Sequence, residues 1–65
     1  MNIKELRIAA GLRQVDLAEK MGVTQSTVCS WETGAAMPQA SLLPKLADVL
    51  GCTIDALFGR DKSTA

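Results

Sequence analysis

The spacing of glycines and of apolar pairs constrains this chain most. Gly11, Gly22, Gly34, Gly51 and Gly59 divide its sixty-five residues into pieces of helical length. In four pieces two apolar residues stand five apart across a start position: Met1/Leu6 around Asn2, Leu12/Leu17 around Arg13, Val23/Val28 around Thr24 and Cys52/Leu57 around Thr53. This is the spacing of a hydrophobic staple, in which the residue before an N-cap packs on the first turn. The pattern predicts helices at about 3–10, 14–21, 25–33 and 54–58. Asn2 is expected to cap the first, with Glu5 as its capping-box partner. The remaining piece contains Pro44. Proline is tolerated only in a first turn, where N–H groups are unpaired anyway. A helix from about 41 to 50, ended by Gly51, meets that condition. No stretch of Val, Ile and Thr alternates with polar residues, so strands are not expected. The reading is a compact, all-α, five-helix domain over residues 1–58, with a short tail at 59–65.

Composition narrows what such a domain can do. An apolar fraction of 48% is ample for a core, but a chain this short buries only about 60% of its unfolded surface and gains from a second copy. No apolar run approaches the ~20 residues of a membrane span. The start, Met1-Asn2-Ile3-Lys4-Glu5, is too mixed for a signal peptide. The expectation is a cytoplasmic protein with no membrane partner. The chain has no histidine and two cysteines, Cys29 and Cys52. That leaves no ordinary zinc set and removes the commonest general base. With no phosphate loop and no evident carboxylate pair, neither an enzyme, a metal nor a cofactor is expected. Both cysteines are expected to be reduced, small, half-buried side chains. Seven basic and seven acidic residues sum to zero, which argues against polybasic binding.

The informative stretch is 14–33, Gln-Val-Asp-Leu-Ala-Glu-Lys-Met-Gly-Val-Thr-Gln-Ser-Thr-Val-Cys-Ser-Trp-Glu-Thr. Two helices are joined by Gly22-Val23-Thr24, where Gly22 can take the left-handed backbone a sharp turn needs. Ala18 is small where the helices approach, and Leu17, Met21, Val23, Val28 and Trp31 supply apolar faces. That is the physical specification of a helix-turn-helix.

With its flanks, this stretch resembles the Cro/lambdoid phage-repressor type of helix-turn-helix, the xenobiotic-response-element family. The marks are Leu6-Arg7, Gly11-Leu12, Gln14, Leu17-Ala18, Gly22-Val23-Thr24, Trp31-Glu32-x-Gly34, Pro38, Leu46-Ala47, Leu50-Gly51 and Asp55-x-Leu57, covering about 3–58. The resemblance implies a five-helix, lambda-repressor-like fold and a transcriptional regulator, commonly a repressor, that binds double-stranded DNA as a homodimer.

At 3.6 residues per turn, Val28, Trp31 and Glu32 fall on the inner side of the third helix. Ser26, Ser30 and Thr33 cluster opposite, flanked by Cys29 and Gln25. By resemblance this outer face enters the major groove, with Gln25, Ser26, Ser30 and Thr33 as base contacts. A glutamine can pair bidentately with adenine N6 and N7, and Ser or Thr can serve several bases. Phosphate contacts are expected from Arg13, Gln14, Thr24, Thr27, Gln39, Ser41 and Lys45, with the Gln14 amide also bracing Gln25. The family usually has a capping Ser, Thr or Asn at position 13. Arg13 there opposes the helix dipole by roughly 0.3–1 kcal/mol, which makes sense beside a phosphate; a plain surface arginine is the alternative. Arg7 and Glu32 are expected, again by resemblance, to form a largely buried structural salt bridge. The dimer interface is expected in the last helix, at Ile54, Leu57 and Phe58, although Leu57 stands at a staple position facing the core and Phe58 could fold onto its own core.

Charge divides unevenly along the chain. Residues 1–22 carry four basic and three acidic groups, 23–40 only Glu32, and 41–65 three of each. The face expected to meet DNA is thus polar and neutral, whereas phosphate attraction supplies much of DNA affinity. Three readings follow: a dimeric regulator of phage or mobile-element type, an antitoxin or restriction-system controller of the same fold, and a protein-interaction module that no longer binds DNA. Cys29 on the groove face also leaves room for a redox effect.

Overall fold

The computed structural model describes residues 1–59. Of the expected tail, 59–65, all but Gly59 lies outside the described residues. The chain forms α1 (Ile3–Ala9), α2 (Gln14–Met21), α3 (Gln25–Thr33), a 3-10 turn (Ala40–Leu42), α4 (Leu43–Leu50) and α5 (Ile54–Leu57). There is no strand among the described residues, and no helix there is long and apolar enough to cross a membrane.

Local chemistry explains where the helices begin. Thr24 has an extended backbone, and its hydroxyl accepts the Thr27 N–H at 3.2 Å. Thr53 caps α5 the same way, accepting from the Ala56 N–H at 3.1 Å. At the start of α2 the Asp16 carboxylate accepts the backbone N–H of Arg13 at 2.9 Å. This is one half of a capping box; a guanidinium has no lone pair with which to return the other half.

Two expectations about helix starts need correction. Asn2 occupies the N-cap of α1, but its side chain makes no capping bond and Glu5 does not complete a box. Its backbone N–H donates instead to Leu57 O at 2.8 Å, and its Nδ2 donates to Ala56 O at 3.3 Å. Through these two donors Asn2 ties the start of α1 to the end of α5. The fourth helix also begins later than Ser41. With Leu43 as the first helical residue, Pro44 is the second, where a missing N–H breaks nothing. A helix whose first residue was Ser41 would require its first intrahelical bond from Pro44, so the chain turns once as a 3-10 helix before α4.

The core comprises Ile3, Leu17, Ala18, Met21, Val28, Trp31, Leu46, Ala47, Leu50 and Leu57, each buried. The outer staple residues Leu12, Val23 and Cys52 pack against it, as does Leu6; Met1 remains exposed. Helix α2 lies against both α3 and α4, and α1 reaches α3. Pro38 is buried in the loop after α3. Gly22 ends α2 at φ 72°, in the left-handed region, and lets the chain turn sharply enough for α3 to cross α2.

Candidate nucleic-acid interface

The inner and outer faces of α3 fall as the helical period requires. Val28 and Trp31 are buried, and the Glu32 side chain is 4% exposed. Gln25, Ser26, Cys29 and Thr33 are exposed, and Ser30 and Thr27 are half-buried. The helix therefore offers solvent a polar stripe that begins with Gln25 at its N-terminal end. Of the expected half-buried cysteines only Cys52 is one, and burial pushes its thiol pKa up. Cys29 is exposed because it stands on the side of α3 away from Val28 and Trp31.

Behind this stripe runs a chain of polar contacts. Arg7 Nε donates to Glu32 Oε2 at 2.6 Å and Arg7 Nη2 to Glu32 Oε1 at 3.4 Å. Arg7 Nη1 donates to Leu12 O at 2.7 Å, joining the α1–α2 loop to the same pair. Gln14 Nε2 donates to Glu32 Oε1 at 3.0 Å. Gln25 Nε2 then donates to Gln14 Oε1 at 3.3 Å. Burial alone would push the Glu32 carboxyl upward, but the hydrogen bonds from Arg7 and Gln14 and the Arg7 charge outweigh it and hold the carboxyl below its ordinary value. The expected salt bridge thus exists, and it continues to the solvent face of α3. The pairing leaves Gln25 with its carbonyl oxygen and one N–H unengaged, the two groups that adenine recognition requires.

Other candidate contacts are partly committed within the chain. The hydroxyls of Thr24 and Thr27 lie 3.0 Å apart at the α3 cap. Thr33 Oγ1 donates to Ser30 O at 3.3 Å, leaving its methyl and lone pairs for an outside partner. The Ala36 N–H also donates to Ser30 O, folding the loop back onto the end of α3. Gln39, Ser41 and Lys45 are all exposed at and beyond the 3-10 turn.

Arg13 is highly exposed, its side chain 79% accessible. Its Nε and Nη2 each donate to Asp16 at 3.0 Å. Those bonds and the Asp16 charge raise the Arg13 pKa, and hydrogen bonds from the Arg13 side chain and backbone lower that of Asp16 to about 2. Two of the five guanidinium N–H groups are thereby used, so Arg13 keeps donors for an anion. Asp16 was not foreseen as a site residue. An acid at the third helical position, where a capping box places one, was the available signal. The link between Glu32 and Gln14 had no signal beyond an acidic residue on an inner helix face.

In the last helix Ile54 is 39% and Phe58 45% exposed, whereas Leu57 is wholly buried. Leu57 therefore offers a partner no surface, contrary to its place in the expected interface; the staple position turns it into the core. Phe58 and Ile54 are among the exposed large apolar side chains.

A family model described as helix-turn-helix matches residues 3–57. Curated relatives agree. An uncharacterised HTH-type transcriptional regulator of Archaeoglobus fulgidus is 38% identical over 86% of this chain and 80% of its own length. Another, of Methanothermobacter thermautotrophicus, is 41% identical over 75% of this chain and 71% of its own length. The cryptic phage CTXphi transcriptional repressor RstR of Vibrio cholerae is 34% identical over 92% of this chain and 57% of its own length. The chain belongs to the helix-turn-helix family of transcriptional regulators, of the Cro/lambdoid phage-repressor type.

Proposed function

We propose that this protein is a sequence-specific, double-stranded-DNA-binding transcriptional regulator, acting as a repressor of phage or mobile-element type and binding a palindromic operator as a homodimer. The observation that carries the reading is the exposed polar stripe of α3, led by a Gln25 whose amide is already held by Gln14. Gln25, Ser26, Ser30 and Thr33 read base edges in the major groove. Arg13, Gln14, Thr24, Thr27, Gln39, Ser41 and Lys45 meet phosphates, assisted by the free N–H groups at the start of α2. Ile54 and Phe58 form the dimer contact, with Leu57 supporting them from the core. Similarity to a phage repressor supports the direction of regulation. Pairing of two subunits offsets the neutral charge of residues 23–40, because one module reads few base pairs and two read half-sites about 34–36 Å apart.

The test is an anisotropy titration of a duplex from upstream of the protein's own gene at several salt concentrations. The reading predicts saturable binding that weakens with salt, and loss of about 1–3 kcal/mol with Gln25→Ala on the specific site but not on random DNA. The neutral surface favours one other reading, a protein-interaction module; absence of saturable binding at low salt by the folded protein would favour it.

A further inference from the structure

The contacts from Glu32 to Gln25 have a direction. A carboxylate can only accept hydrogen bonds, so Gln14 must turn its NH2 group toward Glu32 and its oxygen outward. An outward oxygen can only accept, so Gln25 must spend one N–H on it. What Gln25 has left is one acceptor and one donor. That set matches adenine, which presents an N6 donor and an N7 acceptor. Guanine presents two acceptors, O6 and N7, and would need both N–H groups of the Gln25 amide. Without Glu32, an amide oxygen and an amide nitrogen are near-equal in shape and either orientation of Gln14 would serve.

Building on the proposed DNA-binding role, we infer that Glu32 is a positioning residue for base specificity: its buried carboxylate, acting through Gln14, fixes the amide orientation of Gln25 and selects adenine over guanine. Glu32 touches no base in this scheme. Its ion pair with Arg7 holds α1 to α3, and the same carboxylate oxygen that accepts from Gln14 sets the polarity of the recognition surface.

Replacing the carboxylate by an amide reverses the direction. In Glu32→Gln the oxygen stays on Arg7 Nε, the shortest contact, and the long 3.4 Å contact from Arg7 Nη2 to the other position is given up. The new NH2 then faces Gln14, which turns its oxygen inward and its NH2 outward. Gln25 answers with its oxygen and presents both N–H groups to the groove, the guanine pattern.

The experiment is selection from random duplexes with the wild type, Gln14→Leu and Glu32→Gln, each first shown to be helical by circular dichroism. Competition titrations with adenine or guanine at the one pair assigned to Gln25 follow. The expected result is an adenine preference for the wild type, reduced about tenfold in Gln14→Leu, and a shift toward guanine in Glu32→Gln, with the other positions unchanged. Affinity that falls equally on every sequence in both variants, or an adenine preference that survives Gln14→Leu, overturns the inference and leaves Glu32 a structural residue. Because Gln14→Leu leaves the Arg7–Glu32 pair intact, an adenine preference that survives it overturns the inference even if Glu32→Gln does not fold. If the wild type itself enriches no site, the DNA-binding reading fails, and the inference with it.

Discussion

Truncating Arg7 to alanine removes three hydrogen bonds at once, two to Glu32 and one to Leu12 O. The Arg7 and Glu32 side chains are 11% and 4% exposed. Breaking a buried pair by removing one partner costs about 3–5 kcal/mol, since the remaining charge is uncompensated. Gln14 still donates to Glu32, and the Arg7 side is slightly wet, so the lower end applies, about 3 kcal/mol. A domain of this size has roughly 3–10 kcal/mol in all. The loss corresponds to a melting temperature lower by about 12–24 °C. The pH dependence identifies the cause. In the wild type the Glu32 carboxyl is held below its ordinary value, so its contribution is present above the unfolded carboxyl value of about 4.3 and is lost as pH falls from there through the lower, folded value. In Arg7→Ala burial dominates and lifts the folded value above the unfolded one, so protonation favours folding and the deficit shrinks between pH 7 and pH 4. Urea unfolding followed by circular dichroism at both pH values measures this. The double variant Arg7→Met/Glu32→Leu recovers most of the loss, because it leaves no stranded charge. A deficit below about 1 kcal/mol, or one equal at pH 7 and pH 4, would show that Arg7→Ala strands no buried charge on Glu32.

Three other outcomes are expected. Gly22→Ala costs about 1–2 kcal/mol by thermal unfolding, although no atom crowds the new Cβ, because the backbone there is left-handed; an unchanged melting temperature would show that the α2–α3 turn relaxes freely. Arg13→Ala weakens binding to all DNA sequences alike and lowers the salt slope by about 1 if the guanidinium meets one phosphate; an unchanged slope would mean that Arg13 serves only its pair with Asp16. Phe58→Lys leaves helicity intact, since Phe58 is 45% exposed, and shifts sedimentation equilibrium toward monomer; unaltered association would remove α5 from the interface.

The fold was largely legible in the sequence because helix starts are decided locally. Arg13, Thr24 and Thr53 stand at N-caps where the five-residue apolar spacing put them, since a staple and a cap involve residues within one turn. Asn2 also stands at its N-cap, but its bonding escaped the same logic because its partners, the carbonyls of Ala56 and Leu57, are fifty-odd residues away in sequence. The glycine-bounded piece gave the existence of α4 and Pro44 limited where it could start, but counting backbone donors rather than proximity to a first turn would have given its first residue. In the candidate site the helical period separated Val28 and Trp31 from Gln25 and Ser26. It could not show that Gln14 reaches Glu32, because that contact depends on how steeply α2 crosses α3. Nor could it show that Asp16 occupies part of Arg13, a pairing of exposed groups that helix spacing permits but does not require.

On the function proposed above, the outer face of α3 reads DNA sequence in two symmetric copies. Selection of bound duplexes from a random pool by the wild-type protein at low salt tests it most directly. The expected outcome is enrichment of a palindrome whose half-sites are centred about 10–10.5 base pairs apart, with adenine at the pair that Gln25→Ala no longer distinguishes. A folded protein that enriches no sequence, or enriches one without two-fold symmetry, would contradict it.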